Sequence, residues 1–172
     1  MQNSSGFLAL GTLAIVLMFF GLRSFDDEGR FNPLREPAPM LVVVEDGAPR
    51  TITVSARRDG HFLLETMLGG ERTPMLVDTG ASIISLRASD ARKAGIYLTE
   101  RDYSVPFSTA NGTVLGAVTT LDELRIGGIV LRDLRVSVLP DDKLRTSLFG
   151  VNGLNRFARR ESTSQKLVLY TD

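Results

Sequence analysis

The sequence predicts an all-β fold with one or two short helices, and three observations carry that expectation. Short runs of alternating or β-branched residues recur from Thr51 to Tyr170. Gly69-Gly70, Asn111-Gly112 and Gly127-Gly128 fall between such runs, where hairpins need residues that tolerate positive φ. Ala88–Ala94 (ASDARKA) is the one clear soluble helix pattern, stopped by Gly95.

Taken in order, the first element is apolar. Gly6 to Leu22 (GFLALGTLAIVLMFFGL) carries no charge. As a helix it spans roughly 25 Å, near the lower limit for crossing a bilayer core. No Lys or Arg precedes it, and Arg23-Ser24-Phe25-Asp26 follows in place of a small-x-small cleavage site. A retained transmembrane helix within residues 1–24 is therefore expected, rather than a cleaved signal peptide. Residues 25–50 hold Pro33, Pro37, Pro39 and Pro49 among mixed charges and read as an extended tether. Met40–Val44 (MLVVV) is either a short added strand or an apolar piece of linker.

Residues 51–172 form the expected folded domain. Thr51–Val54 alternates, and His61–Leu68 is a second strand that turns at Gly69-Gly70 into Thr73–Val77. Ser104–Thr109 and Thr113–Thr119 flank Asn111-Gly112, and Leu121–Ile126 and Ile129–Val138 flank Gly127-Gly128. Gly153–Arg159 reads as a short helix and Lys166–Tyr170 as a final strand. Strands of this length and spacing close into a barrel or sandwich.

Composition narrows the function. The 172 residues, 43% of them hydrophobic, suffice for one modest core. Lys+Arg 20 balances Asp+Glu 20, so no basic field recruits nucleic acid. The absence of cysteine excludes disulfides, thiol nucleophiles and Cys-based metal sites. His61 is the single histidine, which argues against a His-rich metal site or a Ser-His pair.

The chemistry-bearing segment is Met75-Leu76-Val77-Asp78-Thr79-Gly80-Ala81-Ser82. An apolar strand delivers a carboxylate to a tight turn of small residues, and Gly80 lets another backbone approach closely. A plain strand-to-turn Asp is the bland reading. Further on, Leu148-Phe149-Gly150-Val151-Asn152 again brings bulky apolar residues to a glycine. Either segment alone is weak; the two in this order, with a hairpin-rich stretch between them, are a stronger sign.

With these residues in view, the sequence resembles the single-domain aspartic proteases of the retropepsin type, and most closely their bacterial membrane-anchored branch. The likeness covers most of Gly60 to Tyr170, through GHF, VDTGAS, ASDARKAGI, STANGT, RIGG and LFGVNGLNRF. It implies a retropepsin-like half-barrel in which Asp78 is catalytic and Thr79, Gly80, Ala81 and Ser82 complete the active-site loop. Thr79 would reach across a dimer axis to its mate. Leu148, Phe149 and Gly150 would pack beneath the loop, and a hairpin of Ser108, Thr109, Ala110, Asn111, Gly112 and Thr113 would close over substrate as a flap.

This chemistry needs two carboxylates sharing one proton around one water. The chain has a single D-T-G; Asp122, Asp133, Asp141 and Asp142 lack its context. A homodimer hydrolysing a protein or peptide substrate is therefore expected, with no metal and no cofactor. Ala81 cannot donate a hydrogen bond to the carboxylate as serine could, which points to a weakly acidic optimum. The competing readings are a non-catalytic binding or assembly module on the same fold, and a small anchored protein whose β-barrel is unrelated. The intact Asp78-Thr79-Gly80 argues against the first, because a buried acid is costly to keep without a use.

Other residues receive ordinary roles. His61 is read as structural. Tyr97, Tyr103 and Phe107 are read as strand packing, Tyr103 and Phe107 with an option on a specificity pocket. Arg156, Arg159 and Arg160 are read as a solvated face. Arg23, Arg30 and Arg35 after the apolar run favour a cytoplasmic domain by the positive-inside rule, while the family likeness favours the periplasmic side of a bacterial inner membrane. The second placement is the expectation adopted, because Asp26, Asp27 and Glu28 dilute a small bias.

Overall fold

The computed structural model describes residues 42–44, 51–109 and 112–171. The expected membrane segment, the tether apart from Val42–Val44, and Ala110 and Asn111 of the expected flap lie outside the described residues. Among the described residues no helix is long and apolar enough to cross a membrane.

Short strands dominate, as the alternating patterns require. Strands β1 (Val42–Val44), β2 (Thr51–Ser55), β3 (Leu63–Leu68), β4 (Glu71–Val77) and β5 (Ile84–Arg87) precede helix α1 (Ala88–Lys93). A 3-10 turn at Glu100–Asp102 leads into β6 (Val105–Thr109), β7 (Gly112–Ile126), β8 (Ile129–Leu139) and β9 (Leu148–Phe149). Helix α2 (Val151–Leu154), β10 (Arg159–Ser162) and β11 (Lys166–Tyr170) complete the chain.

The main sheet has the order β1-β8-β5-β9-β4-β3-β7-β6, with β8 also paired to β7. That second pairing closes β8, β5, β9, β4, β3 and β7 into a barrel-like ring, while β1 and β6 hang on its outside. Buried Leu64, Met75, Ile84, Leu124, Val136 and Phe149 fill the middle. Burying each such side chain contributes about 1.5–3 kcal/mol. A second sheet, β10-β11-β2, is antiparallel throughout. It packs Leu167, Leu169, Ile52 and Val54 on the same core.

The β3–β4 hairpin turns at Gly69-Gly70, whose φ values are 55 and 84. Gly69 also lies against the end of α1: a Cβ there would fall 1.6 Å from the Lys93 carbonyl oxygen. The hairpin and the helix that follows the Asp78 loop are thus fitted to one another.

Two expectations are corrected and one left open is settled. β7 runs unbroken from Gly112 to Ile126, although the expected strands stopped at Thr119 and resumed at Leu121. Its ladder with β8 continues through them (Thr119↔Val136, Thr120↔Arg135), so the cross-strand bonds override the polar pair. The last helix is Val151–Leu154, and Arg159 belongs to β10. Met40–Val44, left open between strand and linker, supplies Val42–Val44 as an edge strand on Ile129–Leu131.

Candidate active site

The site is assembled at the end of β4. Leu76 and Val77 pair in parallel with Leu148 and Phe149. The Asp78 N–H donates to the Phe149 carbonyl at 3.1 Å, so the ladder carries one residue past the strand and fixes where the carboxylate emerges. The turn then closes on itself: Gly80 N–H donates to Asp78 Oδ1 at 2.8 Å and Ala81 N–H to the Asp78 carbonyl at 3.3 Å. Asp78 is half-buried, and Thr79 and Gly80 beside it are exposed.

Beneath the turn lies the Leu148–Asn152 segment, as the family likeness implied for Leu148, Phe149 and Gly150. Val151 N–H donates to the Ala81 carbonyl (2.8 Å) and Asn152 N–H to the Ser82 carbonyl (3.1 Å). Gly150 makes this approach possible. A Cβ there would sit 2.4 Å from the Ile83 oxygen and 2.7 Å from the Ala81 oxygen, both backbone atoms that cannot swing aside.

Two anchors carried no assigned role in the sequence. Asn152 Oδ1 accepts the Ile84 N–H at 2.7 Å, and its Nδ2 donates to the Arg135 carbonyl at 2.7 Å, tying the exit of the Asp78 loop to β8. Its partners lie 68 and 17 residues away, so no local pattern announces it. The second anchor is the Ser147 hydroxyl, which accepts from Arg87 N–H (3.0 Å) and donates to Asp90 Oδ2 (2.7 Å). Asp90 is buried and accepts from Lys93 Nζ at 2.9 Å, which supplies the countercharge a buried carboxylate needs. Helix α1 is thereby fastened to the strand that supports Asp78.

The Ser108–Thr113 region stands on a separate hairpin, with Thr109 paired to Gly112 and the Thr109 hydroxyl donating to the Gly112 carbonyl at 2.7 Å. The bonds that join the Asp78 loop to Leu148–Asn152 do not extend to it. His61 sits in an exposed turn where its N–H donates to Asp59 Oδ1 at 3.1 Å.

Asp102 and Asp141 are among the carboxylates outside the loop that are held below their ordinary range. The Thr99 amide and hydroxyl lower Asp102. Burial pushes Asp141 up, but the Ser89 amide and hydroxyl with Arg87 and Arg92 outweigh it and lower it.

A half-buried acid on a Thr-Gly turn, backed by a hydrophobic-hydrophobic-Gly strand in a barrel-like sheet, is the arrangement that the likeness to acid proteases implied. Comparison with known proteins agrees. Residues 64–156 match the family described as gag-polyprotein putative aspartyl protease. The crystal structure of a retropepsin-like aspartic protease from Rickettsia conorii is 35% identical, with a TM-score of 0.60 over 69% of this chain and 98% of that one. Two uncharacterized relatives are similar in sequence. One, in the cobV 5′ region of Sinorhizobium sp, is 32% identical over 151 residues, 86% of this chain. The other, RP867 of Rickettsia prowazekii (strain Madrid E), is 33% identical over 106 residues, 62% of this chain. The chain spans 62% and 45% of the lengths of these two. The chain belongs to the retropepsin-like aspartic protease family.

Proposed function

We propose that the chain is an aspartic endopeptidase that works as a homodimer, with Asp78 of each copy in one shared site. The observation that carries this reading is the carboxylate of the one D-T-G turn: Asp78 is half-buried, with Oδ1 accepting from the Gly80 N–H and the exposed Thr79 beside it. The sequence holds no second D-T-G, so a second copy is the source of the second acid.

Two such acids brought together cannot both ionise; they hold one proton between them and titrate as a pair. The ionised acid takes a proton from the trapped water as its oxygen attacks the peptide carbonyl carbon. The protonated acid gives its proton to the carbonyl oxygen, leaving a neutral diol. As the diol collapses, one hydroxyl returns its proton to the ionised acid, the C–N bond breaks, and the other acid's proton passes to the departing amine. Thr79 joins the two loops across the axis, Ala81 and Ser82 line the floor, and Ser108–Thr113 with Ala110 and Asn111 closes over an extended substrate.

This reading includes an anchor in residues 1–24, resting on the uncharged run Gly6–Leu22, and a tether in 25–50. It places the protease domain on the periplasmic side of a bacterial inner membrane, acting on membrane-proximal proteins. A reporter active on one side only, fused after Asp172, tests the placement.

The central test compares wild type with Asp78→Asn on a denatured protein across protein concentration. Hydrolysis should vanish in the variant and, below saturation, rise with the square of wild-type concentration. Equal activity of the two proteins removes Asp78 from the mechanism; a strictly linear dependence down to the lowest concentration removes the dimer.

A further inference from the structure

β7 is longer than the strand that accompanies it. β8 pairs with it from Ile126↔Ile129 to Ala117↔Val138 and goes no further. Over Gly112–Gly116, β7 has a strand partner on one side only among the described residues, β6, from Val105↔Gly116 to Thr109↔Gly112.

The direction of the free groups follows from one residue. Pro106 stands opposite Leu115 and has no N–H, so the β6–β7 bonds run through the alternate pairs, at Gly112, Val114 and Gly116. The N–H and C=O of Thr113 and Leu115 therefore point the other way, toward the side that β8 covers further along. Continuing the β7–β8 register would set Pro140 opposite Leu115, at a position where β8 must donate an N–H. Proline cannot, and the chain turns off there: Lys143 and Leu144 both donate to the Pro140 carbonyl, at 2.9 and 3.2 Å.

The gap that results is a pocket of about 550 Å³ whose lining includes Ala88, Tyr103, Val114, Leu115, Pro140 and Lys143. Glu100 also lines it, exposed at its rim, and the other two charges have partners of their own. Lys143 pairs with Asp142 at 2.8 Å, and Asp141 accepts the Ser89 amide and hydroxyl at 3.0 Å each. What remains is a mostly apolar hollow beside two peptide groups that have no partner among the described residues, spaced as a strand spaces them.

We propose that this open edge of β7 is a strand-addition site: an extended polypeptide segment takes the ladder positions that β8 leaves at Pro140 and sets a bulky apolar side chain in the pocket. Backbone bonds to Thr113 and Leu115 supply the pairing, and the pocket selects the side chain. No residue of the Asp78 loop lines the pocket, so a segment held here is gripped beside the proposed cleft without being cut.

The test uses the full chain carrying Asp78→Asn, so that no probe is hydrolysed. The probe is a capped, fluorescent Ser-Thr-Val-Phe-Val-Thr-Ser peptide, with one copy that has Ala for Phe and one N-methylated at both Val amides. The Phe peptide should bind about tenfold or more tighter than the Ala copy, the discrimination a buried apolar side chain gives. The N-methylated copy should lose at least as much. Amide exchange at Thr113 and Leu115 should slow at least tenfold on addition of the Phe peptide. Leu115→Pro, which removes one edge N–H at a position facing away from β6, should bind the Phe peptide as poorly as the parent binds the N-methylated copy.

No binding, equal binding of the Phe and Ala copies, or exchange that slows elsewhere but not at Thr113 and Leu115 overturns the proposal. If Leu115→Pro fails to fold, the exchange measurement on the parent decides alone. Because hydrolysis is never read, failure here leaves the catalytic reading standing, and failure of that reading leaves this site standing.

Discussion

Gly150→Ala is the sharpest perturbation the site offers. The added Cβ would meet the Ile83 oxygen at 2.4 Å, the Ile83 carbonyl carbon at 2.5 Å and the Ala81 oxygen at 2.7 Å. All three belong to the backbone of the Asp78 loop, so relief requires moving the loop or the Leu148–Asn152 segment. Overpacking of this kind costs about 1–3 kcal/mol. Moving the segments apart also stretches Val151 N–H to Ala81 O (2.8 Å) and Asn152 N–H to Ser82 O (3.1 Å). Losing both adds about 1 kcal/mol each, for a total of about 3–5 kcal/mol. A chain of this size has only about 5–15 kcal/mol in hand. In urea, with a slope near 2 kcal/mol per molar, the midpoint should fall by about 2 M. Where the variant still folds, a loop displaced by about 1 Å should lower kcat/KM about 100-fold. Gly80→Ala is the matched control, since its Cβ meets only the Asp78 carboxyl, Oδ1 at 3.1 Å and Cγ at 3.9 Å, and it should stay within about 1 kcal/mol of wild type. A Gly150→Ala midpoint within experimental error of wild type, or a Gly80→Ala loss just as large, refutes the packing argument.

Asn152→Ala should destabilise by about 2–5 kcal/mol in the same titration, because it orphans the Ile84 N–H and the Arg135 carbonyl together. Asn152→Asp keeps the acceptor and should lose about half of that. The lowered pKa values of Asp102 and Asp141 set an acid limit. Their contribution is present above the ordinary value of 3.8 and is lost as pH falls through the lower native values. Amide protection at Thr99 and Ser89, whose N–H groups donate to those carboxylates, should therefore persist at pH 3.8 and drop only in more acidic solution, while core strands stay protected. With Ala81 beside Asp78, the pH-rate profile should peak at weakly acidic pH, and a maximum near about pH 2 contradicts that.

Much of the fold was legible because its signals are local. The Gly69-Gly70 hairpin, the strand into Asp78, the ASDARKA helix and the KLVLY strand each carry their own pattern and appear where expected. What escaped was non-local. β9 is two residues long and exists because Leu76 and Val77 hold it. β10 reads Arg-Arg-Glu-Ser with all four residues exposed, and only its ladder with β11 makes it a strand. The helix expected from Gly153 begins at Val151, because Gly150 is spent on its contact with the Asp78 loop and Gly153 lies under the Phe149 ring. At the site, the Asp78 turn and the Leu148–Gly150 support were readable as motifs. Asn152, Ser147 and Asp90 were not, since a polar side chain that bridges distant backbone leaves no periodicity in the sequence.

The small sheet bears on assembly. Lys166–Tyr170 lies between Arg159–Ser162 and Thr51–Ser55, so both rails of the last strand are occupied within one copy. A second molecule cannot simply dock onto it; sharing that strand would be an exchange, with one set of bonds parting before another forms. Association by that route would run at the pace of local opening and would speed up steeply on warming, whereas association through the loops would run at the pace of collision.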